Sequence, residues 1–217
     1  MKKIIVGLTV LLTFGMLAVT YAATEKIIDV SAAVPDSTAE ITVVIRQLTA
    51  AGQDPFSGNE VQRMDFGILT HLLADQSEAG VWYSPTYFAV IIFSNSFGKQ
   101  YEIRSSSNGF ASGGNTLPDN SLVLTPGYAA ADEFSAGVAQ GDQPAGSELG
   151  TAGPAKATNA LIYRSELAGS NRIIRAFYSL PSLGAGGAVP FANFEPVPLS
   201  QTVGTYTGTV TVTIAAI

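Results

Sequence analysis

The last thirteen residues, Thr205 to Ile217, constrain the fold most. Every odd position from Thr205 to Thr213 is threonine, and the even positions read Tyr206, Gly208, Val210, Val212 and Ile214. Side chains alternate across a strand, so one extended segment here carries an apolar face and a hydroxyl face. A helix would scatter both sets around its barrel. Threonine and valine also suit a pleated, half-buried surface. The expectation is a strand over Thr205–Ile217, packed by its even face on a sandwich core.

The rest of the chain reads as more short strands. Ile41, Val43 and Ile45 alternate with Thr42 and Val44 in a strand from Glu40 to Leu48. Gly-Gln-Asp-Pro opens a loop up to Gly58. Val61–Thr70 reads as a short strand broken by Gly67, where a bulge or a close backbone approach is expected. His71–Gly80 is polar, with room for one helical turn. Val81–Phe93 is rich in aromatic and β-branched residues and forms one long strand or two, with Pro85 marking an edge or a bend. Asn95–Gly98 reads as a turn, with Gln100–Arg104 pairing back as a hairpin. Ser105–Asn120 reads as loop, and Ser121–Thr125 as a brief strand ending at Pro126-Gly127. Tyr128–Thr158, dominated by Ala and Gly, shows no period and reads as a long surface excursion. Two strands follow, Ala160–Ser165 and Arg172–Leu180. A glycine-rich stretch and a proline-bearing edge over Phe191–Leu199 lead into the threonine ladder. Eight to ten short strands, turn signals between them and no convincing helix point to an all-β, antiparallel, immunoglobulin-like sandwich over residues 37–217.

The N-terminus carries a different signal. Met1-Lys2-Lys3 precedes an apolar run from Ile4 to about Val19, then Thr20-Tyr21-Ala22. A basic start, a hydrophobic stretch and a small-residue site read as a cleaved signal peptide over 1–22, with the mature chain beginning at Ala23. The competing reading is an uncleaved anchor, for which about sixteen apolar residues are short. The expected location is secreted or cell-surface, periplasmic in transit, with no membrane span after cleavage. Residues 23–36 place Ile28, Val30, Ala32 and Val34 on one face before Pro35-Asp36 interrupts. They form either a first edge strand or an arm that pairs with a neighbour.

Composition removes several function classes. Lys2 and Lys3 leave with the leader, so nine basic residues face seventeen acidic ones, a formal charge of −8 over 195 residues. An acidic surface without a basic cluster repels phosphate backbones, which argues against nucleic acid. The absence of cysteine rules out disulfides, thiolate zinc sites and thiol catalysis.

Catalytic side chains are sparse. The one histidine, His71, stands beside Leu72 and Leu73, and no Gly-x-Ser-x-Gly elbow exists. Paired carboxylates are what a glycosidase needs. Asp132 and Glu133 are adjacent and point apart on a strand, while Asp65, Asp119, Asp142 and Glu148 fall mostly in loops. Asp119, Asn120, Asp132, Glu133 and Asp142 offer loop oxygens to calcium, without EF-hand spacing. The reading is therefore no enzyme, no cofactor and no metal. Trp82, Tyr83, Tyr87 and Phe88 are dense enough for a sugar-stacking platform, although aromatics in a long strand more often fill a core. Tyr163, Tyr178 and Tyr206 read as core residues whose hydroxyls reach the rim.

The ending from Pro198 through Gly204-Thr205-Tyr206 to Ile214 resembles the last strand of the spore coat protein U domain, a family akin to subunits of archaic chaperone–usher pili. Met64-Asp65-Phe66-Gly67 is similar to the Phe-Gly segment those subunits carry, and Ala160-Leu161-Ile162-Tyr163 to a strand before their end. The resemblance implies an incomplete sandwich whose missing strand comes from the N-terminal arm of the next subunit. Ile28, Val30, Ala32 and Val34 would be the inserted face. The groove would lie beside Tyr206, Gly208, Val210, Val212 and Ile214. It further implies self-association into a fibre and a periplasmic chaperone covering the open edge. The alternative is a secreted carbohydrate-binding module.

Overall fold

The computed structural model describes residues 40–49, 53–71, 80–95, 98–128, 145–157, 159–184 and 187–217. The expected signal peptide and the segment expected as an arm or first edge strand, with Ile28, Val30, Ala32 and Val34, lie outside the described residues. In chain order the strands are β1 (Glu40–Leu48), β2 (Asn59–Val61), β3 (Thr70–His71), β4 (Val81–Tyr83), β5 (Tyr87–Asn95), β6 (Tyr101–Ser107), β7 (Ala111–Ser112) and β8 (Asn115–Thr116). Then come β9 (Val123–Tyr128), β10 (Glu148–Leu149), β11 (Gly153–Pro154), β12 (Ala160–Arg164), β13 (Arg172–Ser179), β14 (Val197–Pro198) and β15 (Val210–Ala216). A 3-10 turn, Pro55–Ser57, follows β1.

The chain is an all-β antiparallel sandwich. One sheet has the order β11-β9-β13-β5-β1-β2 and the other β10-β12-β6-β15. Alternation decides what each strand sends between them. On β5, Phe88, Val90 and Ile92 enter the core, where they meet Tyr101 and Ile103 of β6. The opposite face of β5 is apolar too. Ile91 packs there with Ile173, Val44, Phe56 and Phe93. That explains why Tyr87–Asn95 reads as a continuous apolar run rather than an alternating one.

Tyrosine–serine pairs join the two sheets. Tyr178 of β13 and Ser105 of β6, both fully buried, bring their hydroxyls to 2.9 Å. Tyr101 of β6 donates to the Ser170 carbonyl at 2.9 Å, and its hydroxyl lies 2.6 Å from Ser94 Oγ of β5. Each pair satisfies polar groups that would otherwise be buried without partners.

Several expectations change. Val81–Phe93 does divide, into β4 and β5. Ser84 turns away between them, donating its N–H to the Leu180 carbonyl and its hydroxyl to the Phe66 carbonyl. β4 joins a separate small sheet, β14-β4-β3. Val61–Thr70 is not one strand: the ladder ends at Val61 and resumes at Thr70. Between them Gly67 takes φ +65°, and its N–H is held by Asp65 Oδ1 at 3.0 Å. Gln100–Arg104 does not pair back on β5. β6 crosses to the other sheet and lies between β12 and β15. Ser105–Asn120 is not all loop, since β6 runs to Ser107 and β7 pairs with β8. The strand expected to stop before Pro126 runs through it to Tyr128. Within the excursion, residues 145–157 hold β10 and β11, which extend the two sheets at their edges. Residues 129–144 lie outside the described residues.

Candidate functional site

The terminal ladder divides at Gly208. Regular pairing begins only at Val210, and Thr207 makes a single bridge to Ala111. The reason is steric. A Cβ on Gly208 would stand 1.9 Å from the Gly109 carbonyl oxygen, so the two backbones meet where no side chain fits. Asn108 fixes this approach by accepting the Thr209 N–H on Oδ1 at 2.7 Å. Gly208 is therefore exposed and contributes nothing to an apolar face. Tyr206 departs from the expected core position as well. It is half-buried, with its hydroxyl donating to the Thr202 carbonyl at 2.6 Å and accepting from Gln201 Nε2 at 2.7 Å. Tyr163 and Tyr178, by contrast, are fully buried.

Val210, Val212 and Ile214 behave as the alternation requires. All three pack on the core, and Ile214 sits opposite the buried Ile103. Yet each stays half-buried. β15 pairs with β6 on one side only, and no described strand pairs with its other edge. Across the gap lies β1, which approaches β15 to within 8 Å without a ladder between them.

β1 shows the same openness. Val43 stands directly opposite Ile92, which is fully buried in the core. Cross-strand partners share a face, so Val43 points into the sandwich. It is nevertheless 41% exposed. Ile41 and Ile45, two residues to either side, are partly buried against the same core. An inward-facing valine with this exposure means that nothing among the described residues seals the sandwich between β1 and β15. The result is an apolar seam flanked by two strand edges. Ile41 and Val43 were legible as one face of a strand. That they form the second wall of the seam was not.

The polar neighbour of the seam is on the outer face of β6. Glu102, opposite Ala215 of β15, lies 2.6 Å from Arg104 Nε and 2.6 Å from the Arg164 guanidinium, which also holds Glu148 at 2.7 Å. Hydrogen bonding from Arg104, opposed by burial and helped by Arg164, holds the Glu102 carboxyl below the usual range. These charges satisfy one another and face away from the seam.

The remaining candidate groups do not converge. Asp65 pairs with Arg63 and Asp119 with Lys156. Asp132, Glu133 and Asp142 lie outside the described residues. Among the described residues no three His, Asp or Glu side chains form a group. His71 meets Trp82 edge to face at 5.1 Å. The expected aromatic platform is split: Phe88 is buried in the core, while Trp82 and Tyr83 belong to β4 of the small sheet. Among the described residues no helix is long and apolar enough to cross a membrane. Comparison with family models, with curated proteins and with solved structures finds no match in any of the three.

Proposed function

We propose that the protein is a structural subunit of an extracellular or cell-surface fibre, assembled by β-strand addition. The observation that carries the reading is the exposed, inward-facing Val43 of β1, a strand that approaches β15 without a ladder between them. The edge of β15 and the Glu40–Val44 part of β1, neither paired there by a described strand, flank an apolar gap, which is the kind of surface that accepts an extended segment. Main-chain bonds give such docking its strength, and alternate side chains entering the gap give it selectivity. The N-terminal segment of a neighbouring copy is the natural occupant, because Ile28, Val30, Ala32 and Val34 repeat every second residue. A chain with an unfilled seam aggregates through it, so a chaperone that covers the edge during export belongs to this reading.

The test is deletion of Ala23–Val34 from the mature chain. The variant keeps a cooperative thermal transition and a β-rich circular dichroism spectrum, but forms no multimers that survive detergent until heated. Multimers of undiminished length from the deleted chain would refute the fibre role.

A further inference from the structure

The seam is not equally open along its length. On its outer edge β1 divides into two parts. Glu40–Val44 has no ladder partner there among the described residues, whereas Ile45, Arg46 and Gln47 are paired with Val61, Glu60 and Asn59 of β2. β2 is short but fastened. Arg46 Nη1 donates to the Gly58 carbonyl at 3.1 Å, and Arg46 Nη2 lies 3.4 Å from Glu60 Oε2. A Cβ on Gly58 would come within 2.6 Å of the Gln47 carbonyl oxygen, so the backbone entering β2 lies hard against β1. Val61 itself packs on the sandwich core beside Ile45.

We propose that β2 is a stop, which confines an incoming strand to the Glu40–Val44 part of the seam and so sets how many of its side chains are read. The proposal rests on the fibre reading, and its occupant is the segment 28–34 of a second copy. Residues 1–39 precede β1, and within them 28–34 carries four aliphatic side chains two residues apart. Five ladder positions span roughly 17 Å, and only the two opposite the inward-facing Ile41 and Val43 turn their side chains into the seam. The seam therefore seats two of the four, against Ile41 and Val43. β2 acts by blocking pairing beside Ile45, and the other two aliphatics stay outside.

Because the chain has no cysteine, introduced thiols report only on themselves. Mature chain carrying Val43→Cys or Ile45→Cys is unfolded together with mature chain carrying Ile28→Cys, Val30→Cys, Ala32→Cys or Val34→Cys. The mixture is then refolded and oxidised. Facing strand residues bring their Cβ atoms to about 5 Å, within reach of a disulfide after small adjustment. Reducible mixed dimers, measured against each variant alone, should be at least tenfold more abundant with Val43→Cys than with Ile45→Cys. Adding Glu60→Pro, which removes a ladder N–H and the ion pair to Arg46, should raise the Ile45→Cys yield to that of Val43→Cys. Equal yields at the two positions, or no response to Glu60→Pro, would overturn the stop and leave the fibre reading intact. Absence of mixed dimer at both positions would overturn both.

Discussion

The hydroxyls of Tyr178 and Ser105 meet at 2.9 Å between the two sheets, each side chain fully buried. Neither has water to fall back on. Tyr178→Phe leaves Ser105 Oγ without its cross-sheet partner and should cost about 1–3 kcal/mol in urea unfolding. The double variant with Ser105→Ala should lose less than the sum of the two single losses, because both remove one interaction. Strict additivity would show that the pair is not coupled.

The same tyrosine makes stability fall at high pH. Burial pushes Tyr178 up to about 12, against a bond to Ser105 that pulls the other way. Tyr101 moves in the same direction for the same first cause. A raised tyrosine pKa means that the unfolded chain ionises first, near pH 10. The contribution is complete below pH 10 and is lost as pH climbs toward 12. At about 1.4 kcal/mol per unit, Tyr178 alone accounts for about 3 kcal/mol. Urea midpoints at pH 8, 10 and 11 should fall in that order, and Tyr178→Phe should flatten the decline.

Glu102 acts at the acid end. Its carboxyl is held below the ordinary range first by Arg104, with Arg164 adding to it. A depressed folded pKa gives stability that is present above the unfolded value, near 4.5, and lost as pH falls through the folded one. Glu102→Gln should lower stability at pH 7 by about 1–3 kcal/mol and reduce the loss between pH 5 and pH 3. Thermal melts across that range decide it.

Glycines at backbone crossings should separate from glycines in open turns. A Cβ on Gly208 would stand 1.9 Å from the Gly109 carbonyl oxygen, and one on Gly150 would stand 1.7 Å from the Leu161 carbonyl oxygen. Gly208→Ala and Gly150→Ala should each cost about 1–3 kcal/mol. Gly114, with nothing within 4 Å of an added Cβ, should accept alanine at almost no loss. Melting temperatures of the three variants are the measurement.

Val43 and Ile92 face each other across the ladder and should respond differently. Ile92→Ala empties a sealed core position and should cost about 2–5 kcal/mol. Val43→Ala, at the open seam, should cost under about 1 kcal/mol, since little burial is lost. Val43→Asp should leave a folded monomer and cut detergent-resistant multimers at least tenfold. Normal assembly by that variant would place the docking surface elsewhere.

Much of this fold was legible because alternation is a local property. Ile41, Val43 and Ile45 give β1 its bounds, and Pro85 marks the division between β4 and β5. Which strand lies beside which is not local. Tyr101–Ser107 has the pattern expected of a hairpin partner for β5, yet it belongs to the opposite sheet. Its ladder partners are β12 and β15, and its inward Tyr101 and Ser105 reach hydroxyls of the other sheet, Ser94 and Tyr178, the latter 73 residues away from Ser105. The ladder from Thr205 looked continuous because the threonines are. Only the packing of Gly208 on Gly109 reveals the division. Of the seam, the wall at Val210, Val212 and Ile214 was readable. The wall at Val43 and the closure by Val61 depend on contacts between segments distant in sequence.

Hydroxyl pairs, rather than sulfur, fasten layer to layer in this sandwich, and that changes what its maturation requires. No oxidase or thiol isomerase takes part in reaching the native pairing, and no reductant can undo it. The sandwich therefore has no thiol through which reducing or oxidising surroundings could change its pairing.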